Sequence, residues 1–301
     1  MNAIDAPLLL RAAAAAAAGQ QYPAGALYVV ATPIGNLADL SLRAIHVLAL
    51  ADAVACEDTR HTAPLLRHLG LDGKPLVAVH EHNEHVAAPE VLARLARGER
   101  VAYVSDAGTP GLSDPGAVLA AAVREAGHRV LPVPGPSAAL AAWSIAGDAH
   151  AAALRFAGFL PAKGGERTRA LEALLAQPDA QVLFEAPHRI EALCAALGAA
   201  CPERTVTLCR ELTKQFETVA TLPAQALSGW LAEDANRRRG EFVLVLHAPR
   251  VAQAPAEDHD RTLRVLIAAL PLSQAVALAA QLSGAPRNAL YERALTLQAG
   301  R

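Results

Sequence analysis

The chain has 301 residues, 53% hydrophobic and 19% charged, which excludes intrinsic disorder and leaves material for two cores. A formal net charge of −2 excludes a global positive field for coating nucleic acid, though not a local basic groove. Four cysteines without C-x-x-C spacing, Cys56, Cys194, Cys201 and Cys209, argue against a zinc site or a disulfide frame and fit reduced thiols in a cytoplasmic protein.

Residues 1–26 are alanine-rich. Asp5 stands where an export signal would be basic, and Arg11 interrupts the apolar stretch, so the segment reads as a flexible extension. No uncharged apolar run reaches the roughly 18 residues of a membrane span. From residue 27 strand-like bursts alternate with helical patterns. "LYVVAT" (27–32) precedes a helix with Ser41 as its N-cap, and "AVAC" (53–56) leads into "EDTRHTAPLLRHLG". "PLVAVH" (75–80), "RVAYVSD" (100–106) and "RVLPV" (129–133) are each followed by a helix. Asp114 stands before one of them and reads as its N-cap. Five strand–helix units predict an α/β layer over 27–149 with a mostly parallel sheet.

A second α/β block covers 150–250. Its strands are "LRFAGFL", "AQVLFEA", "RTVTLCREL", "ETVAT" and "EFVLVLH", with helices near 165–177 and 188–200. The last strands lie close together, which predicts a mixed sheet. A Pro/Ala linker then leads to a small helical appendage over 258–301, with three short helical patterns. Their spacing suits a helix-turn-helix, although a plain helical clip is the simpler reading.

Ligands of open parallel sheets sit beyond the carboxyl ends of the strands. Four polar clusters of the first block lie there: "TPIGN" (32–36), "CEDTR" (56–60), "SDAGTPGLSDPG" (105–116) and "VPGPSA" (133–138). Each alone is ordinary turn chemistry; together they predict a shared pocket. G-x-G-x-x-G and Walker A patterns are absent, so this is not a dinucleotide or P-loop site. Without G-x-S-x-G, serine hydrolysis is disfavoured. "HEHNEH" (80–85) has metal-ligand residue types, but neither a helix nor a strand gathers His80, His82 and His85 on one face. It reads as a polar cleft wall, and no metal is expected. In "CEDTR", Glu57 and Asp58 could serve as base and orienter with Arg60 beside them; alternatively Asp58 caps a helix and Arg60 pairs with an acid. Lys163, Arg167, Arg189, Arg210 and Lys214 all follow strand ends of the second block and are candidates for phosphate contacts.

These motifs, with "GFLPAKGGER", "FEAPHRI", "RELTKQFE" and "GEFVLVL", resemble the tetrapyrrole methylase superfamily, and within it the branch that 2′-O-methylates a cytidine of 16S ribosomal RNA. The resemblance runs from about Leu27 to the end of the chain. It implies two α/β domains, a helical tail, a homodimer and S-adenosylmethionine (SAM) as cofactor, bound between the domains. SAM contacts are carried to Ser105, Asp106, Ala107, Gly108 and Thr109, then to Ser137 and Ala138, with Ile34 lining the pocket. Phe184, Glu185 and Glu211 would close over the adenine side. Porphyrinoid-modifying relatives have a G-x-G-P-G type first loop where this chain has "ATPIGN", which favours RNA as partner. A small-molecule tetrapyrrole methylase and a non-catalytic ribosome-associated RNA-binding module are the alternatives.

Overall fold

The computed structural model describes residues 5–80, 83–249 and 256–299. The chain forms two compact units, Met1–Pro249 and Arg250–Arg301. The first holds two five-stranded sheets.

The extension is not a frayed arm. Ala6–Ala17 is helix α1, and the Asp5 carboxylate accepts the Leu8 N–H at 3.0 Å to cap it. Ala13 and Ala17 are buried, and Leu9 and Leu10 pack on the first core. Alanine combines high helix propensity with a side chain small enough for close approach, so the run docks on the body. Strands β1 (Ala26–Val30) and β2 (Ala53–Cys56) follow, with α2 (Leu42–Leu50) between them and α3 (Thr59–His68) after β2. The chain continues through β3 (Leu76–Ala78), α4 (Glu84–Ala96), β4 (Val101–Val104), α5 (Ala117–Glu125), β5 (Arg129–Val133) and α6 (Ala138–Ala146). The sheet is wholly parallel in the order β3-β2-β4-β1-β5. All four residues of β2 and of β4 are buried. Alternation sends Tyr28, Val54 and Val104 into one core and Leu27, Ala55 and Tyr103 into another on the opposite face.

The second sheet contains β6 (Leu154–Phe159), β7 (Ala180–Glu185), β8 (Thr205–Arg210), β9 (Thr218–Pro223) and β10 (Phe242–Leu246). Its order is β6-β7-β10-β8-β9; only β6 and β7 run parallel, so the sheet is mixed. Helices α7 (Gly164–Leu175), α8 (Ile190–Ala200) and α9 (Leu227–Ala232) cover one face with leucines and isoleucine. The other face packs on α6. Ala139, Ala142 and Ala146 lie against Val182, Cys209, Val243 and Val245, so an alanine stripe joins the two layers.

Unit two is a three-helix cluster: α10 (Ala256–Ala269), α11 (Leu272–Ser283) and α12 (Arg287–Ala299). Leu263, Val276, Ala279, Leu290 and Ala294 form its core. Both carboxylate oxygens of the buried Asp260 accept from the Arg293 guanidinium at 2.7 Å, tying α10 to α12. Among the described residues no helix is long and apolar enough to cross a membrane.

Candidate cofactor and substrate site

The order β4-β1-β5 brings the loops after those three strands side by side at their carboxyl ends. Thr32 and Gly108 exchange backbone hydrogen bonds at 2.8 and 3.0 Å, stitching "TPIGN" to "SDAGTPG". The Thr109 hydroxyl donates to the Pro136 carbonyl at 3.0 Å, stitching that loop to "PGPSA". Gly108 has φ +85°, which L side chains rarely adopt, and that conformation lets the loop hug Ile34. The result is a cavity of about 360 Å³ between the two sheets.

Eight of the eleven expected cofactor residues line this cavity: Ile34, Ala107, Gly108, Thr109, Ser137, Ala138, Phe184 and Glu185. Three do not. Ser105 is buried beneath it, its carbonyl accepting from the Thr32 hydroxyl at 3.2 Å. Asp106 points away, toward α3. Glu211, in the left-handed region at φ 52°, accepts from Lys214 and from the Glu241 N–H, and its neighbours Leu212 and Glu241 take its place on the wall. Leu112, Ser113 and Asp114, within the cluster expected at the pocket but not singled out as cofactor contacts, also line it, as do Phe159 and Phe242, likewise not singled out. Asp114 does not cap a helix: Pro115 and Gly116 delay α5 to Ala117, where Gly116 is the N-cap. Its carboxyl stands on the cavity wall, and burial pushes its pKa up to about 6 against a hydrogen bond from Ser105. The Ser137 hydroxyl is buried at the cavity without a hydrogen-bond partner.

"CEDTR" lies next door, because β2 flanks β4 with Cys56 opposite Val104. Asp58 does cap α3, accepting the Arg60 N–H at 2.8 Å, and its carboxylate also takes the Arg60 guanidinium at 2.6–3.0 Å. These bonds hold its pKa down at about 2, which makes Asp58 a poor proton acceptor. Glu57 accepts the Asp106 N–H at 3.3 Å, and partial burial raises its carboxyl above the usual range. His61, unremarked in the sequence, brings Nδ1 to 2.7 Å from Asp106 Oδ2. Asp58, His61 and Asp106 hold one ligand-type atom each within 4.8 Å of one another. Arg60 occupies the first and the imidazole the last, so the set is a hydrogen-bonded charge cluster. Of "HEHNEH", Glu81 and His82 lie outside the described residues. Asn83 accepts the His80 N–H, and the buried Glu84 accepts the Leu119 N–H at 3.0 Å.

The expected phosphate contacts divide sharply. Lys163 is exposed at the N-terminus of α7. Arg167 and Arg189 instead face the fully buried Glu185 carboxylate at 2.8 and 2.7 Å, the second outside hydrogen-bond geometry. They also donate to the Pro161 and Leu160 carbonyls. Arg210 is buried and donates to the carbonyls of Arg239 and Phe216. Lys214 bridges Glu211 and Glu241 at 2.9 and 3.0 Å. Strand-end position alone did not separate an exposed cation from a buried clamp.

Comparison with known proteins bears on this site. The family of Tetrapyrrole (Corrin/Porphyrin) Methylases matches residues 26–228, and the RsmI C-terminal HTH domain matches 253–298. The ribosomal RNA small subunit methyltransferase I of Escherichia coli O157:H7 is 48% identical over 280 residues, covering 91% of this chain and 96% of its own. The protein of the same name from Pseudomonas aeruginosa is 45% identical, covering 91% and 98%. Among solved structures, uroporphyrin-III C-methyl transferase from Thermus thermophilus, complexed with S-adenyl homocysteine, superposes with a TM-score of 0.53. It is 19% identical and covers 75% of this chain and 99% of that one, a likeness of fold.

Proposed function

Since this chain belongs to the tetrapyrrole methylase family, we propose that it transfers the methyl group of SAM to ribosomal RNA of the small subunit, and that the acceptor is the ribose 2′-oxygen of a cytidine in 16S RNA. The observation that carries the reading is the 48% identity, over 96% of its length, to a ribosomal RNA small subunit methyltransferase I.

The residues at the cavity suit this cofactor. Its volume of about 360 Å³ falls within the range of small-molecule sites. Ile34, Ala138, Phe184 and Leu212 offer apolar surface for a flat ring. Asp114 is a carboxylate on a largely apolar wall, complementary to a ligand carrying sulfonium and ammonium charge. The unpartnered Ser137 hydroxyl is free to take up a polar ligand atom. SAM supplies a methyl group on positively charged sulfur, open to in-line displacement. The chain's part is alignment: holding acceptor and donor as a near-attack pair removes several kcal/mol of the barrier. Arg60, with its side chain 86% exposed, and Lys163 are placed to meet phosphate, while Asp58 orients Arg60. A weak nucleophile such as ribose hydroxyl is best presented from an unstacked, single-stranded segment. A homodimer in the cytoplasm is the assembly and location that go with this reading.

Mapping 2′-O-methyl groups in 16S RNA tests it. Cells lacking the protein are expected to lose one ribose methyl on a cytidine, and purified protein to restore it from SAM. An unchanged methylation map overturns the reading.

A further inference from the structure

We infer that His61 is the base that takes the proton from the acceptor hydroxyl, and that Asp106 positions it for that task; this rests on the ribose-methylation reading above. The His61–Asp106 contact of 2.7 Å uses Nδ1, so the Nδ1-protonated tautomer leaves Nε2 as a proton acceptor. The imidazole is 66% exposed at the carboxyl edge of the sheet, so Nε2 is open to a large substrate. Asp106 is itself fixed from two sides, its Oδ1 accepting the Asp58 N–H at 3.2 Å and its own N–H donating to Glu57. The next three residues along the chain, Ala107, Gly108 and Thr109, line the cavity. Asp106 thus ties the dyad to the loop that lines the cavity, its own carboxylate turned toward α3.

The neighbouring carboxylates are less suited. Arg60 holds Asp58, the Asp106 N–H engages Glu57, Arg167 and Arg189 hold Glu185, and Asp114 stands on the cavity wall apart from this cluster. The charges facing His61 are Asp106 first, then Asp58, both favouring the imidazolium, and Arg60, which opposes it; Glu57 adjoins the cluster. The net effect is a histidine that titrates above its ordinary range. In the step, Nε2 accepts the 2′-hydroxyl proton as the oxygen bonds to the methyl carbon. The carbon–sulfur electron pair remains on sulfur, and the imidazolium passes its proton to solvent. One proton is released for each methyl transferred.

The test uses full-length protein and small ribosomal subunits from cells lacking it. His61→Gln is expected to lower kcat at saturating SAM by about 10²- to 10⁴-fold and to erase the acid limb of the pH profile, with SAM affinity by calorimetry unchanged. Asp106→Asn keeps an acceptor for Nδ1–H but loses the charge, so it is expected to move that limb to lower pH. In the ligand-free protein, the NMR titration of the His61 ring is expected above 6.5 and to fall in Asp106→Asn. A His61→Gln protein that keeps its kcat and acid limb overturns this assignment alone, and so does a ring titration unmoved by Asp106→Asn. A wild-type protein that transfers no methyl to ribose overturns the ribose-methylation reading and this assignment with it.

Discussion

Asp114 is held in a site that disfavours its ionised form. Burial lifts its pKa to about 6, so near neutral pH it stands mostly ionised in a place that disfavours the charge. The folded pKa lies above the unfolded value of about 3.9, so this group's contribution to stability is most favourable below about pH 4 and declines as pH rises through 6. Asp114→Asn removes that cost and is expected to raise Tm at pH 7.5. The same change is expected to weaken SAM binding at least tenfold, because a hydrogen bond to a charged group is lost. In the wild-type protein SAM affinity is expected to be level above pH 7 and to fall about tenfold per pH unit well below pH 6, as a proton must leave Asp114 first. Calorimetry from pH 5 to 8 checks this, and an affinity in Asp114→Asn that is flat across the range identifies the group. Single residues were unevenly legible. Ile34, Gly108 and Ser137 line the cavity; the strand-end motifs pointed to a shared pocket, and the family resemblance singled out these residues within it. The sequence "SDPG" looks like a cap followed by proline at the first helical position, and only the left-handed Gly116 reveals that the helix starts later. Arg167 and Arg189 looked like phosphate ligands because no local pattern shows that Glu185, on a neighbouring strand end, is buried between them.

The loop after β4 works as an element because its glycines adopt conformations closed to other residues. Gly116 has φ +123°, and a Cβ there would sit 2.3 Å from the Tyr103 ring, which is itself locked in the core. Gly116→Ala combines backbone strain with overpacking and is expected to cost about 3 kcal/mol in denaturant unfolding, with SAM affinity reduced as the loop shifts. In unit two, the Arg293 guanidinium holds the Asp260 carboxyl below the usual range. A depressed carboxyl contributes stability above its unfolded pKa of about 4 and loses it as pH falls through the folded value. Protection of α10 and α12 amides, taken relative to the intrinsic exchange rate, is expected to fall below about pH 4, and in Asp260→Asn to be low already at pH 7. Elements were the most legible scale. Among the described residues all ten strands fall where alternating or continuous apolar bursts place them, since burial in a sheet demands that pattern. Helix α1 was the exception. Its alanines say "helix" by propensity, but that they dock on α2 depends on an apolar face supplied about thirty residues later.

At the scale of the molecule, a chain of net charge −2 has to approach a polyanion through local basic groups, without a global positive field. Arg167, Arg189 and Arg210 are committed to internal acceptors, and Lys214 to two glutamates. Lys163 is exposed at the start of α7, and Arg60 has an 86% exposed side chain that Asp58 holds. Each phosphate contact adds about 0.7 to 0.9 to the slope of log affinity against log salt, so binding to small-subunit RNA is expected to be only shallowly salt-dependent. Lys163→Ala is expected to lower that slope by about one contact's worth, 0.7 to 0.9, while weakening all RNA sequences alike. Arg210→Gln removes the charge and leaves the bonds to Arg239 and Phe216 poorly made, so it is expected to lower Tm and, Arg210 being buried, to leave the slope unchanged. Filter binding between 50 and 200 mM salt separates the two. If Arg210→Gln moves the slope and Lys163→Ala does not, the basic surface that meets RNA lies on the β8 side of the second sheet rather than at the start of α7.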